Sequence, residues 1–441
     1  MGKLSKKLIV YLDQNFISEM AKADINLQVK PEFKKIYELL HKGFIDEKLV
    51  VPISWSHRVE TSLVPRLKKR IIQYLKYLGQ VSINPSFVIE PFQVQRAARN
   101  FLGENIDVIY LGNAFSDAPD KRIKYYDIDF DSHPENFFNM NDRIIEAQNI
   151  DNVRLNLQNQ DLNFDNQYLN ELEAERFAYL SSKLENISYL FRDKPDKIHE
   201  FIYSDRFAQI PIINTRCRLW SKILINHKTR KIRSGDSTDV DILSSYLPYV
   251  DIIATDFFMA DQLRSLGLDK EYNTIIFDPK KEGLEKFENF LIKFLAATEP
   301  VNSPIVSIFV LSDDKIKENS FDFFKNLGVQ TLRIQGRDPY VEIFAFDDGK
   351  MPKYAYKEPK MTLPFYGLQE ITSIKIDNTM SKDDILNICE EKSRANKFIL
   401  IDKHRDFPED FIETLIQYCI EEKEKILNFK VHNKIKKTAQ C

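Results

Sequence analysis

Two carboxylates far apart in the chain each follow an apolar run of the kind that predicts a buried strand. Asp13 follows Leu8 to Leu12, and Asp256 follows the run that ends at Thr255. In an open α/β sheet the ligand crevice lies at the carboxyl ends of the strands, so we expect both side chains at one edge. Neighbouring carboxylates repel each other unless a cation lies between them. The pattern therefore indicates a divalent-metal site.

Three further acids fall where they could join this site. Asp236 and Asp239 open a predicted helix, and Glu60 lies on a helix that begins near Trp55. Carboxylate oxygens without a nearby cysteine or histidine pair favour Mg²⁺ or Mn²⁺ over zinc. Two such ions would activate a water on one side of a phosphodiester and stabilise the leaving oxygen on the other.

Each of these acids has an ordinary structural interpretation when it is taken alone. An Asp after a strand commonly starts a turn, and Asp236 with Asp239 forms a plain helix cap. A Glu on a helix, such as Glu60, usually lies on a solvated face. The joint pattern is what favours a metal site over these alternatives.

Hydrophobic periodicity predicts two α/β domains. The first domain covers residues 1–297. Its first predicted elements are strand 8–12, helix 15–22, helix 31–42, strand 48–54 and a helix that carries Glu60. A helical insertion is predicted over about 65–232, with long polar loops over 117–167. A helix from Asp236, a strand to Thr255, helix 257–266 ended by Gly267, strand 274–277 and helix 284–296 follow.

Residues 297–304 are predicted to form a linker, and residues 303–438 a smaller α/β domain. Its predicted strands are 305–311, 330–334, 341–346, 371–376 and 397–401, and its predicted helices are 320–327, 382–391 and 408–420. A basic, helix-like tail covers 423–437.

Three segments resemble a PIN-like (PilT N-terminus) nuclease domain. They are Ile9-Val-Tyr-Leu-Asp13-Gln-Asn15, Val50-Val-Pro-Ile-Ser54 leading to Glu60, and the block from Gly235 to Thr255-Asp256, which contains Leu247-Pro-Tyr249. The resemblance implies an α/β/α sandwich with a parallel sheet and metal-dependent cleavage of nucleic acid, most often RNA. It assigns metal-ligand and catalytic roles to Asp13, Glu60, Asp239 and Asp256, with Asp236 as an accessory ligand.

Basic residues precede the acidic helix start and follow Glu60. The cluster before the acidic helix interleaves its cations with Trp220, which could stack a base; the alternative is a solvated helix face with Trp220 in the core. The cluster after Glu60 either binds phosphates or forms a solvated helix face. His57 is either packed or in contact with substrate. The predicted nucleic-acid-binding residues are Arg216, Arg218, Lys222, Lys228, Arg230, Lys231, Arg233, Arg66 and Lys69.

Composition limits the class of protein. A net charge of −3 over 441 residues excludes a globally basic nucleic-acid binder, so contacts must come from local patches. Four scattered cysteines form no zinc or disulfide pattern, which favours a reducing, cytoplasmic setting. No apolar run suits a membrane span or a signal peptide. A calcium-loop-like stretch at 127–138 lacks the required Gly and final Glu.

The sequence therefore predicts an endonuclease that uses Mg²⁺ or Mn²⁺, with RNA favoured as substrate and DNA left open. One alternative is a catalytically silent PIN-like scaffold that binds nucleic acid or protein. Another is a nuclease gated by a nucleotide or a partner protein at the C-terminal domain, as in host defence. An insertion and a second domain favour regulation or complex formation, by fold-level analogy, and an oligomer is compatible with the sequence.

Overall fold

The computed structural model describes most of the first 297 residues and part of the remainder. The described residues are 7–24, 30–46, 48–62, 65–78, 82–116, 140–157, 163–225, 231–233, 235–297, 306–311, 341–347, 361–362, 370–377, 379–393, 395, 397–401, 411–420, 425–426 and 429–433. The predicted linker over 298–304, the calcium-like stretch and the helix predicted near 320–327 lie outside them.

The strands within these ranges form three sheets. In chain order they are β1 (Leu8–Leu12), β2 (Leu49–Val50), β3 (Ile53–Ser54), β4 (Ser82–Ile83), β5 (Phe115–Ser116), β6 (Ile252–Ala254), β7 (Ile275–Phe277), β8 (Val306–Leu311), β9 (Val341–Asp347), β10 (Met361–Thr362), β11 (Glu370–Lys375), β12 (Lys397–Ile401), β13 (Lys425–Ile426) and β14 (Phe429–Asn433).

The helices of the described ranges include a π-helical turn at Tyr179–Lys183 and 3₁₀ turns at Tyr189–Phe191 and Leu247–Tyr249. In chain order the α-helices are α1 (Gln14–Asp24), α2 (Pro31–Ile45), α3 (Trp55–Ser62), α4 (Pro65–Leu78), α5 (Ser86–Phe101), α6 (Leu111–Ala114), α7 (Met140–Leu157), α8 (Phe164–Ala178), α9 (Glu185–Ser188), α10 (Lys197–Ile202), α11 (Asp205–Ala208), α12 (Pro211–Ile225), α13 (Asp236–Tyr246), α14 (Phe257–Ser265), α15 (Leu268–Glu271), α16 (Lys281–Ala297), α17 (Lys382–Lys392) and α18 (Phe411–Ile420).

A parallel sheet of order β2-β1-β6-β7 organises the N-terminal region. Side chains of β1 alternate between two apolar clusters, with Ile9 and Tyr11 on one face and Val10 and Leu12 on the other. Helices α13 and α14 cover the first face, and α1, α2, α4 and α16 cover the second. Burial on both faces explains why β1 is a continuous apolar run. The predicted α/β class with a parallel sheet is confirmed.

The predicted strand over 48–54 is wrong as a single element. Pro52, which has no N–H to donate, interrupts it, and the halves join different sheets. β2 pairs with β1, whereas β3 pairs in parallel with β4, which pairs antiparallel with β5. The predicted helical insertion therefore contributes two short strands to a separate sheet, and α3 starts directly from β3.

Two other predictions about single elements were also wrong. Helix α7 occupies part of the stretch predicted as polar loops. The helix exposes Ile145 and Val153 and buries Arg154, so its sequence lacks the apolar periodicity by which a helix is predicted. The basic tail contains strands β13 and β14 where we predicted a helix. Antiparallel pairing of β14 with β12 accounts for this, since a sheet edge supplies partners that periodicity does not reveal.

The C-terminal region contains a mixed sheet of order β10-β11-β9-β8-β12-β14-β13. Its central strands β11, β9, β8 and β12 are parallel, and antiparallel strands flank them. Strands β8, β9, β11 and β12 and helices α17 and α18 match the predicted elements of the smaller α/β domain. In the described part of the chain, no helix is both long and apolar enough to cross a bilayer.

Asp251 holds β1 in register with β6 through its side chain. The backbone N–H of Ile9 donates to Asp251 Oδ2 at 2.8 Å, and the N–H of Asp251 donates to the Ile9 carbonyl at 2.9 Å. Asp251→Ala should lower the free energy of unfolding by about 1–3 kcal/mol, because a buried N–H loses its acceptor. Urea denaturation measures this loss, and Asp251→Asn, which keeps an acceptor oxygen, should recover most of it. Equal stability of both variants and the parent would contradict the assignment.

Candidate active site

Asp13 directly follows the carboxyl end of β1, and one further backbone hydrogen bond still joins it to β6. Its backbone N–H donates to the Ala254 carbonyl at 2.8 Å, and its own carbonyl accepts from Phe16 as α1 begins. The carboxylate is only 6% exposed. It accepts long hydrogen bonds from Asn15 Nδ2 at 3.4 Å and from Thr255 Oγ1 at 3.5 Å. Together with a hydrogen bond from the Gln14 backbone, these weak contacts only partly offset the cost of burying the anion.

Asp256 reaches the same edge because β1 and β6 are parallel and in register. Leu12 is paired with Ala254, the last residue of β6, and the half-buried Asp256 lies two positions beyond it. Asp256 caps α14, with its Oδ1 accepting from the N–H of Met259 at 3.0 Å. The second oxygen of Asp256 is not used by that cap.

Asp236 and Asp239 lie in the first turn of α13. Asp236 is 2% exposed and accepts a hydrogen bond from the N–H of Arg233 at 2.8 Å. The N–H of Asp239 donates to the Gly235 carbonyl at 2.9 Å, and its side chain remains partly exposed. The N-cap of α13 is Gly235, without a side-chain cap hydrogen bond, so the alternative of a helix cap formed by Asp236 is wrong. Asp236 instead accepts from a residue that precedes the helix.

Glu60 lies on α3, and α3 is anchored beside the end of β1 by buried side chains. Gln14 Nε2 donates to Thr61 Oγ1 at 3.2 Å, next to Glu60 in sequence. The Gln14 side-chain oxygen is buried and has no hydrogen-bond partner among the described residues. Sequence reasoning did not assign Gln14, although it follows Asp13 directly. It adds one more hard oxygen beside the acids.

His57 is a packed residue that positions α3. The N–H of Ser54 donates to its Nδ1 at 3.1 Å, so Nε2 carries the proton and donates to the Leu12 carbonyl at 2.6 Å. Burial lowers the pKa of His57 to about 4, so the ring stays neutral at physiological pH. Its ring stacks on Tyr11 with centroids 5.2 Å apart. Of the two interpretations of His57, the structure supports packing.

Burial and neighbouring acids raise the pKa of two members of the group, Asp13 and Asp239. Burial, followed by the charge of Asp256, raises the pKa of Asp13 to about 6. Burial, followed by the charges of Asp13, Glu60, Asp256 and Asp236, raises the pKa of Asp239 well above its usual value. No cationic side chain is among these main influences on either group. Asp239 therefore lies within electrostatic reach of the other four predicted acids, and their negative charges favour its protonated form.

The donor chemistry of this cluster fits a hard divalent cation, because every available ligand is an oxygen. As the side chains stand, no group of three or more His, Cys, Asp or Glu residues in the described ranges is arranged to hold a metal ion. Asp236 and Asp256 each commit one oxygen to a backbone N–H. A cation would therefore have to draw the carboxylates closer together, and its positive charge would offset their mutual repulsion.

Arg216 is not available to bind nucleic acid, which corrects the prediction. Its guanidinium pairs with Glu90 at 2.6 Å, Glu175 at 2.9 Å and Asp241 at 3.3 Å. Glu90 also pairs with Lys183 at 2.6 Å. Burial alone would raise the pKa of Glu90, but the charges of Arg216 and Lys183 lower it to about 2. Nothing in the spacing of these residues along the chain indicates this network.

Arg218 also has a structural role instead of the predicted one. It pairs with Glu271 and donates to the Leu266 carbonyl, which ties α12 to the turn between α14 and α15. Among the other predicted nucleic-acid contacts, Arg66, Lys69, Lys231 and Arg233 are exposed and Lys222 is partly exposed. Lys228 and Arg230 lie outside the described residues.

Comparisons with known proteins do not identify the chain. No family model, curated protein or solved structure matches it. The chemistry proposed for the site therefore rests on its own residues.

The raised pKa of Asp13 makes the stability of the fold depend on pH. The folded protein binds this proton more tightly than the unfolded chain, so the ionised carboxylate costs stability above about pH 6 and costs nothing below about pH 4. Without divalent cations, Asp13→Asn should stabilise the protein at pH 7.5 by up to about 3 kcal/mol. The gain should shrink as the pH falls from 6 to 4.

Chemical denaturation in EDTA across this pH range measures the effect. Asp193→Asn, at an exposed position in a turn, is the matched control and should change stability by less than about 0.5 kcal/mol. Destabilisation by Asp13→Asn at pH 7.5 would show that the carboxylate is compensated after all.

The Arg216 network leads to a separate prediction. Arg216→Met should destabilise the fold by about 3–5 kcal/mol, because it leaves Glu90 and Glu175 without their main cation. Arg66→Met, at an exposed position, should change the unfolding free energy by less than about 0.5 kcal/mol. Thermal and urea unfolding of the two variants measure the contrast. An Arg216 variant with parental stability but weakened RNA binding would restore the original interpretation.

Proposed function

We propose that this protein is a Mg²⁺- or Mn²⁺-dependent endonuclease with a PIN-like catalytic domain, acting on RNA. The observation that carries the proposal is the influence of Asp13, Glu60, Asp256 and Asp236 on Asp239, which brings acids from four separate segments into one cluster. Such a cluster is unfavourable by itself, and natural proteins retain strongly perturbed acids mainly at functional sites.

The acids would hold the cation and set its pH dependence. Asp13 directly follows β1 and Asp256 lies two positions beyond β6, so the paired strands fix where both backbones lie. Asp239 and Glu60 approach from α13 and α3. When bound, the cation supplies a Lewis acid that polarises the phosphate and lowers the pKa of water. Since protons compete for Asp13 and Asp239, cation affinity should rise as the pH increases through about 6.

The surrounding residues would orient this machinery. Thr255 and Asn15 hold the Asp13 carboxylate by their hydrogen bonds, and His57 links α3 to the end of β1 as a neutral donor. Exposed cations at Lys231 and Arg233 directly precede α13 and would attract the phosphate backbone toward the acids. The overall charge of −3 makes such a local contact necessary.

The proposal is tested by cleavage of single-stranded RNA and DNA by the purified full-length protein in Mn²⁺ or Mg²⁺. Asp13→Asn and Asp256→Asn should each lower the cleavage rate by about 100-fold or more, the range for removal of one group that stabilises transition-state charge. Asp251→Asn is the matched control, because Asp251 also flanks β6 but serves the fold, and it should cleave at nearly the parental rate. Parental cleavage by Asp13→Asn would refute the proposed site.

A second candidate is a PIN-like scaffold that binds nucleic acid without cutting it. The observation that favours it is that no described acid group is already arranged around a metal position, with Asp236 and Asp256 each accepting a hydrogen bond from a backbone N–H. Calorimetric titration with Mn²⁺ distinguishes the two. Binding that Asp13→Asn abolishes supports the nuclease, whereas RNA binding without Mn²⁺ binding supports the scaffold.

A further inference from the structure

A cavity of about 430 Å³ opens beside the acid cluster, on another face of the same helix α13. Its volume falls within the range of small-ligand sites. Residues from α3, α5, α7, α12 and α13 and from the turn before α5 line it, among them Trp55, Phe87, Glu146, Trp220, Thr238 and Asp241.

Aromatic rings form the walls of this cavity. Trp55 and Phe87 make an edge contact with ring centroids 6.3 Å apart, and Phe87 is 52% exposed although it is a large apolar side chain. Trp220 packs one side on the core and lines the cavity with another. Flat aromatic surfaces of this kind stack planar heterocycles with little regard to their sequence.

The polar lining of the cavity is acidic. Asp241 accepts hydrogen bonds from Ser86 and from Arg216, yet its side chain remains 46% exposed. A carboxylate has about four acceptor positions, so Asp241 can accept further N–H groups. Exposed Glu146 adds a second acceptor. Arg216 is already paired with three carboxylates, so the cavity suits N–H donors and disfavours a phosphate.

Two residues that line the cavity are close neighbours of proposed catalytic acids on the same helices. Ser56 lines it and lies one helical turn before Glu60 on α3, a spacing that puts Cβ atoms about 5–6 Å apart. Thr238 lines it and directly precedes Asp239. A base seated between the aromatic walls would thus leave its own phosphate close to the acid cluster.

We infer that this cavity binds a nucleobase that carries an amino group, as guanine, adenine and cytosine do, next to the phosphate that the acids act on. The inference rests on the proposed function for its role, because the acids explain why a base should be held here. Binding itself depends only on the cavity. It can therefore be measured without cleavage and without a divalent cation.

Tryptophan fluorescence offers a direct measurement, because the chain has two tryptophans and both line the cavity. The full-length Asp13→Asn variant in EDTA would be titrated with GMP, AMP, CMP, UMP and ribose 5-phosphate, and with a short single-stranded RNA. We expect saturable quenching by the three amino-bearing nucleotides and by the RNA, weaker binding of UMP and none of ribose 5-phosphate. Equal quenching by ribose 5-phosphate, or no saturable quenching by any nucleotide at millimolar concentrations, would overturn the inference.

Phe87→Ala provides the variant test, since its exposed ring can be removed without opening the core. Loss of a stacking ring should weaken nucleotide binding by about fivefold or more, and Phe87→Tyr should restore it. Phe177→Ala is the matched control, because Phe177 is 72% exposed on α8 and does not line the cavity. Parental affinity of folded Phe87→Ala would count against the site.

The outcomes separate this inference from the proposed function. Base-specific quenching by a protein that cleaves nothing would keep the nucleobase site and refute the nuclease. Cleavage that depends on Asp13, together with parental nucleotide affinity of Phe87→Ala, would keep the nuclease and refute the nucleobase site.

Discussion

The parallel pairing of β1 with β6 is the constraint on which the site depends. Leu12 opposite Ala254 brings Asp13 and Asp256 to one edge, and burial there raises the pKa of Asp13 to about 6. A sheet buried on both faces can hold such charges near each other because its strands are fixed by apolar packing that greatly exceeds the repulsion. The fold thus bears an electrostatic cost at one edge, which a bound cation would offset.

Buried charges lie in two different environments in this protein, one with ion-pair partners and one among like charges. Around Arg216, three carboxylates surround one guanidinium, and Glu90 keeps its charge with a pKa of about 2. Around Asp239, the main influences besides burial are four other acids. Arg216 and its partners link α5, α8, α12 and α13. Helix α13 thus takes part both in this compensated network and in the group of acids around Asp239, and it also lines the aromatic cavity.

Sequence reasoning succeeded where one local property dominated. The apolar run of β1, the Asp236 helix start and the end of α14 at the left-handed Gly267 all appear as predicted. It failed where a partner distant in sequence decided the outcome. Pro52 split a predicted strand between two sheets, β14 formed because β12 offered an edge, and Arg216 met Glu90, 126 residues away.

What the sequence by itself determined was the inventory and its local placement: acids after apolar strands, acids in a helix first turn, and an α/β order of elements. Only the tertiary structure decided which charges meet. Strand ends and helix starts follow from periodicity and capping, which act over a few residues. The partner of a charge follows from three-dimensional proximity, which made Arg216 and His57 part of the framework and placed Trp55 and Trp220 around one cavity.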